Sequence, residues 1–308
     1  MNEEGKPKGV IKRKRVVKKK GITIQDAKIV EEGPKPEEGP KPEENPKPED
    51  RTKPEKKPKP EEKPKPEEKP KPEKKPHRVL LPSYTLSSNF EVGIDEVGRG
   101  PMFGRVYAAA AVLPKDDSFD HSQMKDSKRF SSKNKIIEVA EYIKENAIAW
   151  AVCYEDEKII DEMNILQASQ SAMHKCIAEV LRQLKKNDFL DDAGDQKVVN
   201  NVQLLVDGNY FNNYIYFNNV ENKLEQLDYV CIKGGDDKYS SIAAASILAK
   251  VSRDNYIADL CERYPDLIDK YSIDSNKGYG SKKHIDGIKE HGITIWHRRS
   301  FGICKEYV

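Results

Sequence analysis

The sequence predicts a mixed-sheet α/β domain that follows a disordered N-terminal tail. Three observations lead to this prediction: a change of composition near residue 78, an alternation of short apolar runs with helical stretches after it, and a Gly-rich turn between the first two runs. We therefore expect a tail over residues 1–78 and a folded domain over residues 79–308, which is long enough to enclose a sizeable core.

The middle of the predicted tail has a composition that cannot form a core. Residues 33–76 contain no Ala, Val, Ile, Leu, Met, Phe, Trp, Tyr or Cys, and they hold 14 of the 19 prolines. They repeat with a period of six, as in GPKPEE and KPKPEE, and such a repeat favours an extended polyproline II spacer. A spacer, a proline-motif ligand and a solvated tail without a defined role all stay open, and the partner of the tail is unknown.

The basic run KRKRVVKKK precedes these repeats. Residues 1–78 carry 25 Lys and Arg against 17 Asp and Glu, a net charge of +8, whereas the remainder carries 29 against 35, a net charge of −6. Such a run can bind nucleic acid or act as a nuclear address, and the sequence does not decide between them. A polyanionic substrate would favour the first, because the acidic domain needs positive charge from elsewhere.

The sequence predicts neither a membrane protein nor a secreted one. It contains no apolar run of roughly 18 residues, and its N-terminus opens with charges instead of an apolar signal segment. Its five cysteines are scattered, without a Cys-x-x-Cys pair or a nearby His at zinc-ligand spacing. We therefore expect free thiols and an intracellular, reducing location, with cytoplasm and nucleus both open.

The strands and helices of the domain follow from the spacing of its apolar residues. Residues 90–94 and 105–113 are predicted to form a hairpin, because a Gly-rich turn separates these two apolar runs. Further strands are predicted at residues 148–154, 202–206 and 227–232, and helices at residues 132–146, 164–184 and 240–263. Strands followed by helices after an initial hairpin favour a mixed sheet.

Carboxylates follow three of these predicted strands. Asp95 and Glu96 follow the first strand, Asp207 follows the fourth, and Asp236 with its neighbour Asp237 follows the fifth. A single acid at a strand end is usually a turn former, but neighbouring strands could bring four acids to one edge, where cations would relieve their repulsion. Oxygen ligands without Cys or His suit Mg²⁺ or Mn²⁺, and paired ions of this kind assist the displacement reactions of phosphodiesters.

Five sequence blocks follow one another through the domain. They are GIDEVGRGPMFG (93–104), DSK (126–128), LLVDGN (204–209), KGGDDKYSSIAAASILAKVSRD (233–254) and NKGYGSKKHIDGIKEHGIT with HRRSF (276–301). Together they resemble ribonuclease HII of the bacterial type over essentially all of residues 85–303. The resemblance implies an RNase H-like fold, with a five-stranded mixed sheet, flanking helices and a C-terminal helical part. It also implies hydrolysis of RNA in RNA–DNA hybrids and incision 5′ of single ribonucleotides in duplex DNA, leaving 3′-hydroxyl and 5′-phosphate ends.

The resemblance further implies roles for individual residues. The catalytic, metal-binding acids would be Asp95, Glu96, Asp207 and Asp236, together holding Mg²⁺ or Mn²⁺, two ions per site. Matching GGDDKYSSI to the family's GDxKxxSI pattern places the fourth ligand at Asp236, and Asp237 stays open as the alternative. The residues that would contact nucleic acid are Gly98, Arg99 and Gly100 at the 2′-hydroxyl, Tyr279 on the sugar at the RNA–DNA junction, and Lys128, Lys250 and Arg253 at phosphates.

Other interpretations stay open at this point. The chain could be a non-catalytic nucleic-acid-binding or scaffold protein that acts through its tail, although the presence of all four acids argues against an inactive relic. It could also be a nuclease for long hybrids only, whereas Tyr279 and the Gly-Arg-Gly loop favour recognition of a junction. The sequence leaves undecided whether His297, Arg298 and Arg299 are structural or touch DNA. Because the NKGYG block resembles the monomeric bacterial form, we expect a monomer without obligatory subunits.

Overall fold

The computed structural model describes residues 79–85, 90–186, 201–218 and 222–308. The predicted tail over residues 1–78, with its basic run and its proline repeats, lies outside the described residues. The division of the chain at residue 78 therefore stays a prediction.

A five-stranded mixed sheet forms the centre of the domain, with the strand order β3-β2-β1-β4-β7. The first three strands are antiparallel neighbours, and β4 and β7 extend the sheet in parallel with β1. The remaining two strands form a separate hairpin. This sheet confirms the predicted fold class. The strands are β1 Phe90–Val97, β2 Val106–Val112, β3 Ala149–Glu155, β4 Val202–Asp207, β5 Ile215–Asn218, β6 Lys223–Gln226 and β7 Asp228–Ile232.

Helices cover both faces of this sheet. They are α1 Lys133–Asn146, α2 Glu157–Lys186, α3 Ser240–Arg263, α4 Asp266–Tyr271, α5 Ile273–Asn276 and α6 Lys282–His291. Alternate residues of β2 divide between the two faces, because successive side chains of a strand point in opposite directions. Ala109 packs in the core on the α3 side, whereas Ala108 packs in the core on the α2 side.

Helix α3 lies directly on the first strand. A Cβ atom on Gly93 would stand 2.1 Å from the backbone carbon of Ser241, so only a glycine allows α3 to approach β1 this closely. The structure places α3 at the predicted residues 240–263. This contact brings α3 beside the carboxylates that β1 carries.

The first strand is longer than its sequence indicates. The prediction ends it at Ile94, whereas β1 continues to Val97 and pairs Asp95 and Glu96 with Ala109 and Ala108 of β2. The two acids thus lie inside the strand, not after it. The ladder of backbone hydrogen bonds, to which side-chain hydrophobicity gives no clue, carries the strand through these two acids to Val97.

Helix α2 is interrupted near its beginning. Asn164 has φ 72° and ψ 163°, and its Oδ1 atom accepts hydrogen bonds from the backbone amides of Leu166 and Gln167. The predicted start of the helix at residue 164 is therefore a cap within α2, and the turns from Glu157 onward were missed. The short hairpin of β5 and β6 was missed as well.

None of the helices in the described ranges is long and apolar enough to cross a membrane. All five cysteines belong to the described residues and are free.

Candidate active site

Two of the predicted acids stand side by side on parallel strands. Ile94 of β1 pairs with Val206 of β4, so the next residue on each strand, Asp95 and Asp207, lies on the same face of the sheet. Asp95 is only 6% exposed, and one of its carboxylate oxygens accepts the amide of Glu96 at 2.7 Å. The fold therefore brings these acids together as the sequence predicts.

The electrostatic setting of Asp95 disfavours its ionised form. Burial raises the pKa of Asp95 well above its ordinary value, and the charges of Glu96 and Asp207 raise it further. A hydrogen bond with Ser246 of α3 opposes this shift. A carboxylate that is buried beside other carboxylates is a place where a bound cation lowers the free energy.

Glu96 has one cationic partner. Burial raises the pKa of Glu96, and the Arg99 guanidinium, which donates to its Oε1 at 3.1 Å, opposes the shift. The Arg99 side chain is largely exposed, so solvent screens this ion pair. The negative charge of the cluster is only partly compensated.

The fourth acid is electrostatically coupled to the same cluster. Asp236 lies in a short 3₁₀ turn after β7, and the amide of the preceding Gly235 donates to Oδ1 of Asp207 at 2.7 Å. Burial raises the pKa of Asp236, the charges of Asp207 and Asp126 add to the shift, and Lys128 opposes it. We call Asp95, Glu96, Asp207 and Asp236 the carboxylate edge.

Asp237 has a different orientation from its neighbour. Its carboxylate accepts a hydrogen bond from the Arg129 guanidinium at 2.9 Å, and its side chain is 44% exposed. Of the two adjacent acids, the one that Asp207 influences is Asp236 and the one paired with an outlying arginine is Asp237. The geometry thus favours Asp236 as the fourth member.

The donor set of the carboxylate edge fits a hard divalent cation. In the described parts of the chain, no three His, Cys, Asp or Glu side chains stand in an arrangement that already encloses an ion. Glu96 is turned to Arg99 and Asp207 to the amide of Gly235. Uncompensated carboxylates repel one another, so drawing them to a common point requires a cation. Four carboxylates without a sulfur or imidazole donor are the ligands that Mg²⁺ and Mn²⁺ prefer.

The Gly-Arg-Gly loop adjoins this edge and Tyr279. Gly98 has φ +94°, and a Cβ atom there would come within 2.4 Å of Nε of Arg253, so the position requires glycine. A Cβ atom on Gly100 would meet a ring carbon of Tyr279 at 3.5 Å. The tyrosine is 51% exposed. The structure therefore brings the loop and the tyrosine, which lie far apart in sequence, into one exposed corner.

Arg253 does not stand where the sequence places it. The prediction puts it on an exposed helix face at a phosphate, but it is 2% exposed. Its guanidinium donates to the backbone carbonyls of Phe103 at 3.3 Å and Lys277 at 2.9 Å. We correct the assignment: Arg253 joins the Gly-rich loop to the segment before Tyr279 and presents no guanidinium to a phosphate.

Arg298, which the sequence left undecided, is a second buried clamp on the same loop. It is fully buried, and it donates to the carbonyls of Gly104 at 2.7 Å, Arg99 at 3.0 Å and Gly98 at 2.6 Å. Burial, with the nearby charge of Arg253, lowers the pKa of Arg298 to about 9. The only signal for it in the sequence is its place in the HRRSF block. We call Gly98, Arg99, Gly100, Tyr279, Arg253 and Arg298 the recognition corner.

The two predicted lysines stay at the surface. Lys128 is exposed beside Asp236, and Lys250 pairs with Asp254 at 2.5 Å while its side chain is 32% exposed. Both ammonium groups are accessible to a phosphate without a rearrangement of the core. Their position is compatible with the predicted role.

Comparison with known proteins adds an independent finding. The family model described as Ribonuclease HII matches residues 92–304. Ribonuclease HII of Bacteroides thetaiotaomicron is 41% identical over 225 residues, which cover 73% of this chain and 95% of that protein. Ribonuclease HII of Parabacteroides distasonis is 40% identical over 228 residues, which cover 74% and 97%. A chain in the solved PCNA:RNase HII complex from Archaeoglobus fulgidus is 23% identical with a TM-score of 0.49, covering 69% of this chain and 95% of that one.

Proposed function

The chain belongs to the ribonuclease HII family, and is thus a metal-dependent ribonuclease H endonuclease for RNA–DNA hybrids; from this premise we propose that it also incises duplex DNA 5′ of single embedded ribonucleotides. The products would carry 3′-hydroxyl and 5′-phosphate ends. The observation that supports the proposal best is the contact of the Gly-Arg-Gly loop with Tyr279, with 3.5 Å between a Cβ position on Gly100 and the tyrosine ring.

The residues of the carboxylate edge would hold two divalent ions, Mg²⁺ or Mn²⁺. When bound, such ions supply Lewis-acid stabilisation of the charge on the phosphodiester and make a water molecule more acidic. The protein's own contribution is placement. Asp95 and Asp207 are fixed by adjacent strands, and Asp236 is fixed by the turn whose Gly235 amide binds Asp207.

The loop can recognise a 2′-hydroxyl through two backbone amides. The carbonyls of Gly98 and Arg99 both point to Arg298. In a planar trans peptide the N–H points opposite to the C=O of the same unit, so the amides of Arg99 and Gly100 point away from Arg298. We propose that these two amides face the 2′-oxygen, the atom that distinguishes RNA from DNA.

Tyr279 would complete this recognition. Because its ring lies against Gly100, a sugar whose 2′-oxygen meets the loop amides also lies against the ring. We propose that the tyrosine stacks on the sugar at the RNA–DNA junction, and that Lys128 and Lys250 contact phosphates on either side. Such contacts position the duplex without reading its sequence.

An incision assay tests the proposal. The substrates are a duplex with one ribonucleotide and a continuous hybrid, each with Mg²⁺ or Mn²⁺, and the variants are Asp95→Asn, Asp236→Asn, Tyr279→Ala and the control Asp237→Asn. We expect cleavage 5′ of the ribonucleotide, abolished by the first two variants and kept by the control. Tyr279→Ala should reduce cleavage of the single-ribonucleotide duplex more than cleavage of the hybrid. Cleavage of the hybrid alone by the unmodified protein would overturn the proposed specificity.

We also propose that the enzyme acts as a monomer inside the cell. The free cysteines support a reducing compartment, and the four acids of the carboxylate edge meet within a single chain. Sedimentation equilibrium of the full chain, with and without a hybrid, measures the first point, and a dimer or a stable complex with another subunit would contradict it. Imaging of a fluorescent fusion measures the second.

A further inference from the structure

Tyr279 stands in a backbone segment that partners outside the Gly-Tyr-Gly motif hold on its N-terminal side. The Tyr279 amide donates to the carbonyl of Asn276 at 3.0 Å, and the Met102 amide donates to the carbonyl of Gly278 at 2.9 Å. The tyrosine lies between Gly278, which has φ +82°, and Gly280. Glycine has more accessible conformations than any other residue, so the motif itself does not fix the direction of the tyrosine side chain. Whatever holds the ring beside Gly100 must come from outside the motif.

The carbonyl oxygen of Tyr279 has such an external partner. It accepts the amide of Ser281 at 2.7 Å and lies 2.9 Å from Nδ1 of His284 in α6. The other nitrogen of that ring, Nε2, lies 3.1 Å from Nε2 of His297. Both histidines are buried, with exposures of 0% and 1%.

The hydrogen bond between Thr294 and His297 determines which ring nitrogen of each histidine carries the proton. The backbone amide of Thr294 is 2.9 Å from Nδ1 of His297, and because an amide nitrogen only donates, this Nδ1 must accept. Neutral His297 therefore carries its proton on Nε2 and donates it to Nε2 of His284. His284 is then left with its proton on Nδ1, directed to the carbonyl of Tyr279.

Both rings are neutral under ordinary conditions. Burial and the neighbouring His284 lower the pKa of His297 to about 3, and burial also lowers the pKa of His284. The rings of Phe103 and Tyr271 each lie 5.1 Å from the His297 ring, which keeps water from the pair. An amide, two imidazoles and a carbonyl thus form one chain in which each hydrogen bond fixes the next.

We propose that His297 and His284 are positioning residues that orient Tyr279 for stacking on the sugar. This inference rests on the proposed function, in which Tyr279 meets the sugar. The histidines touch no substrate, and they act through the carbonyl of Tyr279. A purely structural pair would support the fold equally well with or without the tyrosine ring, and this difference can be measured.

A double-mutant cycle on the full chain measures it. His284→Phe keeps an aromatic ring but removes both hydrogen bonds, and His284→Asn can still offer an N–H near the position of Nδ1. For incision of the single-ribonucleotide duplex, His284→Phe should raise KM by about five-fold, the usual effect of losing one hydrogen bond, here the one that reaches the Tyr279 carbonyl, with a smaller change of kcat. His284→Asn should recover most of this loss. In a Tyr279→Ala background, His284→Phe should change KM by less than about two-fold.

The outcomes separate the inference from the function on which it rests. If His284→Phe raises KM equally with and without the tyrosine ring, the pair only supports the fold, and the inference is overturned while the proposed function stands. If Tyr279→Ala leaves incision unchanged, the proposed role of the tyrosine fails and the inference fails with it.

A second measurement does not depend on activity or on the His284 variants. Long-range ¹H–¹⁵N spectra of the protein with labelled histidine report which ring nitrogen carries the proton. We expect His284 as the Nδ1–H form and His297 as the Nε2–H form; the reverse forms would overturn the inference. His297→Gln, which retains a donor near Nε2, should keep KM close to its original value, and His297→Leu should raise it.

Discussion

The carboxylate edge and the recognition corner are neighbours, but the charges of the edge repel one another, whereas those of the corner have hydrogen-bond partners. At the edge, neighbouring carboxylates repel one another, and the pKa values of Asp95, Glu96 and Asp236 are raised. In the corner, each buried cation is satisfied by backbone carbonyls, as Arg298 is by three of them. The edge is therefore held in place against its own charges by the strands, whereas the corner is held by its own hydrogen bonds. A substitution should have different consequences for stability in the two regions.

The largest expected effect comes from a substitution at the edge that should lower activity and raise stability. Asp95→Asn should lower the cleavage rate by about a thousandfold, because one ligand of the ions that stabilise the phosphodiester is lost. The same change should stabilise the metal-free protein, because burial and the charges of Glu96 and Asp207 raise the pKa of Asp95 and so disfavour its ionised carboxylate in the fold. Urea unfolding in a chelator measures the second effect.

The matched control is Asp237→Asn, which removes an exposed carboxylate one residue from the edge. It should change the free energy of unfolding by at most about 0.5 kcal/mol and leave cleavage intact. A destabilised Asp95→Asn protein would show that the carboxylate edge is not repulsive. Added Mn²⁺ should stabilise the unmodified protein and have little effect on Asp95→Asn.

The second prediction concerns the recognition corner, where stability and activity should fall together. Arg298→Met should lower the free energy of unfolding by about 3 kcal/mol, because buried carbonyls of Gly98, Arg99 and Gly104 lose their donor. Incision at single ribonucleotides should fall more than cleavage of long hybrids, because the loop loses its shape. Urea unfolding and the two-substrate assay measure these effects.

Arg299→Ala is the control, since this neighbour is exposed and its backbone amide, which alanine retains, is the group that donates to Asp161. The free energy of unfolding should change by no more than about 0.5 kcal/mol. Equal losses of unfolding free energy in Arg298→Met and Arg299→Ala would show that the buried Arg298 stabilises the fold no more than an exposed arginine does.

The third prediction uses acid to test the corner. The pKa of His297 is lowered to about 3 in the fold, whereas an unfolded histidine binds its proton near pH 6.5. The unfolded state therefore binds more protons between these values, and the stability that neutral His297 contributes is present above about pH 6.5 and lost as the pH falls toward 3. Between pH 6.5 and 4.5 this single group should cost on the order of 2–3 kcal/mol.

Thermal unfolding of the unmodified protein and His297→Gln across that pH range checks this expectation. The variant should lose less stability in acid, because glutamine takes up no proton. Parallel curves for the two proteins would mean that His297 is charged in the fold, and the ordered chain to Tyr279 would then not exist.

The sequence pattern predicts the two regions to different extents. It named the four acids of the carboxylate edge, because acids after apolar runs mark the ends of strands, although β1 continues through Asp95 and Glu96 to Val97. In the corner it named the Gly-Arg-Gly loop and Tyr279 but missed the two buried clamps, Arg253 and Arg298. Arg253 shares a helix with Lys250 and looks equally exposed in the pattern, and only the folding of the Gly-rich loop over that helix buries it. The partners of buried cations are backbone carbonyls, which every residue possesses and no pattern reveals.

The smallest expected effect comes from Lys250, which belongs to neither region. It tests whether a residue outside the recognition corner leaves the preference for single ribonucleotides unchanged. Lys250 carries an accessible charge that neither the edge nor the corner uses, and its partner Asp254 is only one helical turn away. Lys250→Gln should weaken binding of a hybrid about equally at every sequence and reduce the slope of log affinity against log salt by about 0.9, the value for one phosphate contact on a duplex. The preference for single ribonucleotides should not change, since a phosphate contact carries no information about the sugar.

Titrations of a labelled hybrid from low to moderate salt, with the Asp95→Asn protein to prevent cleavage, measure the slope. An unchanged slope would remove Lys250 from the interface, whereas a changed preference would place it within the recognition corner.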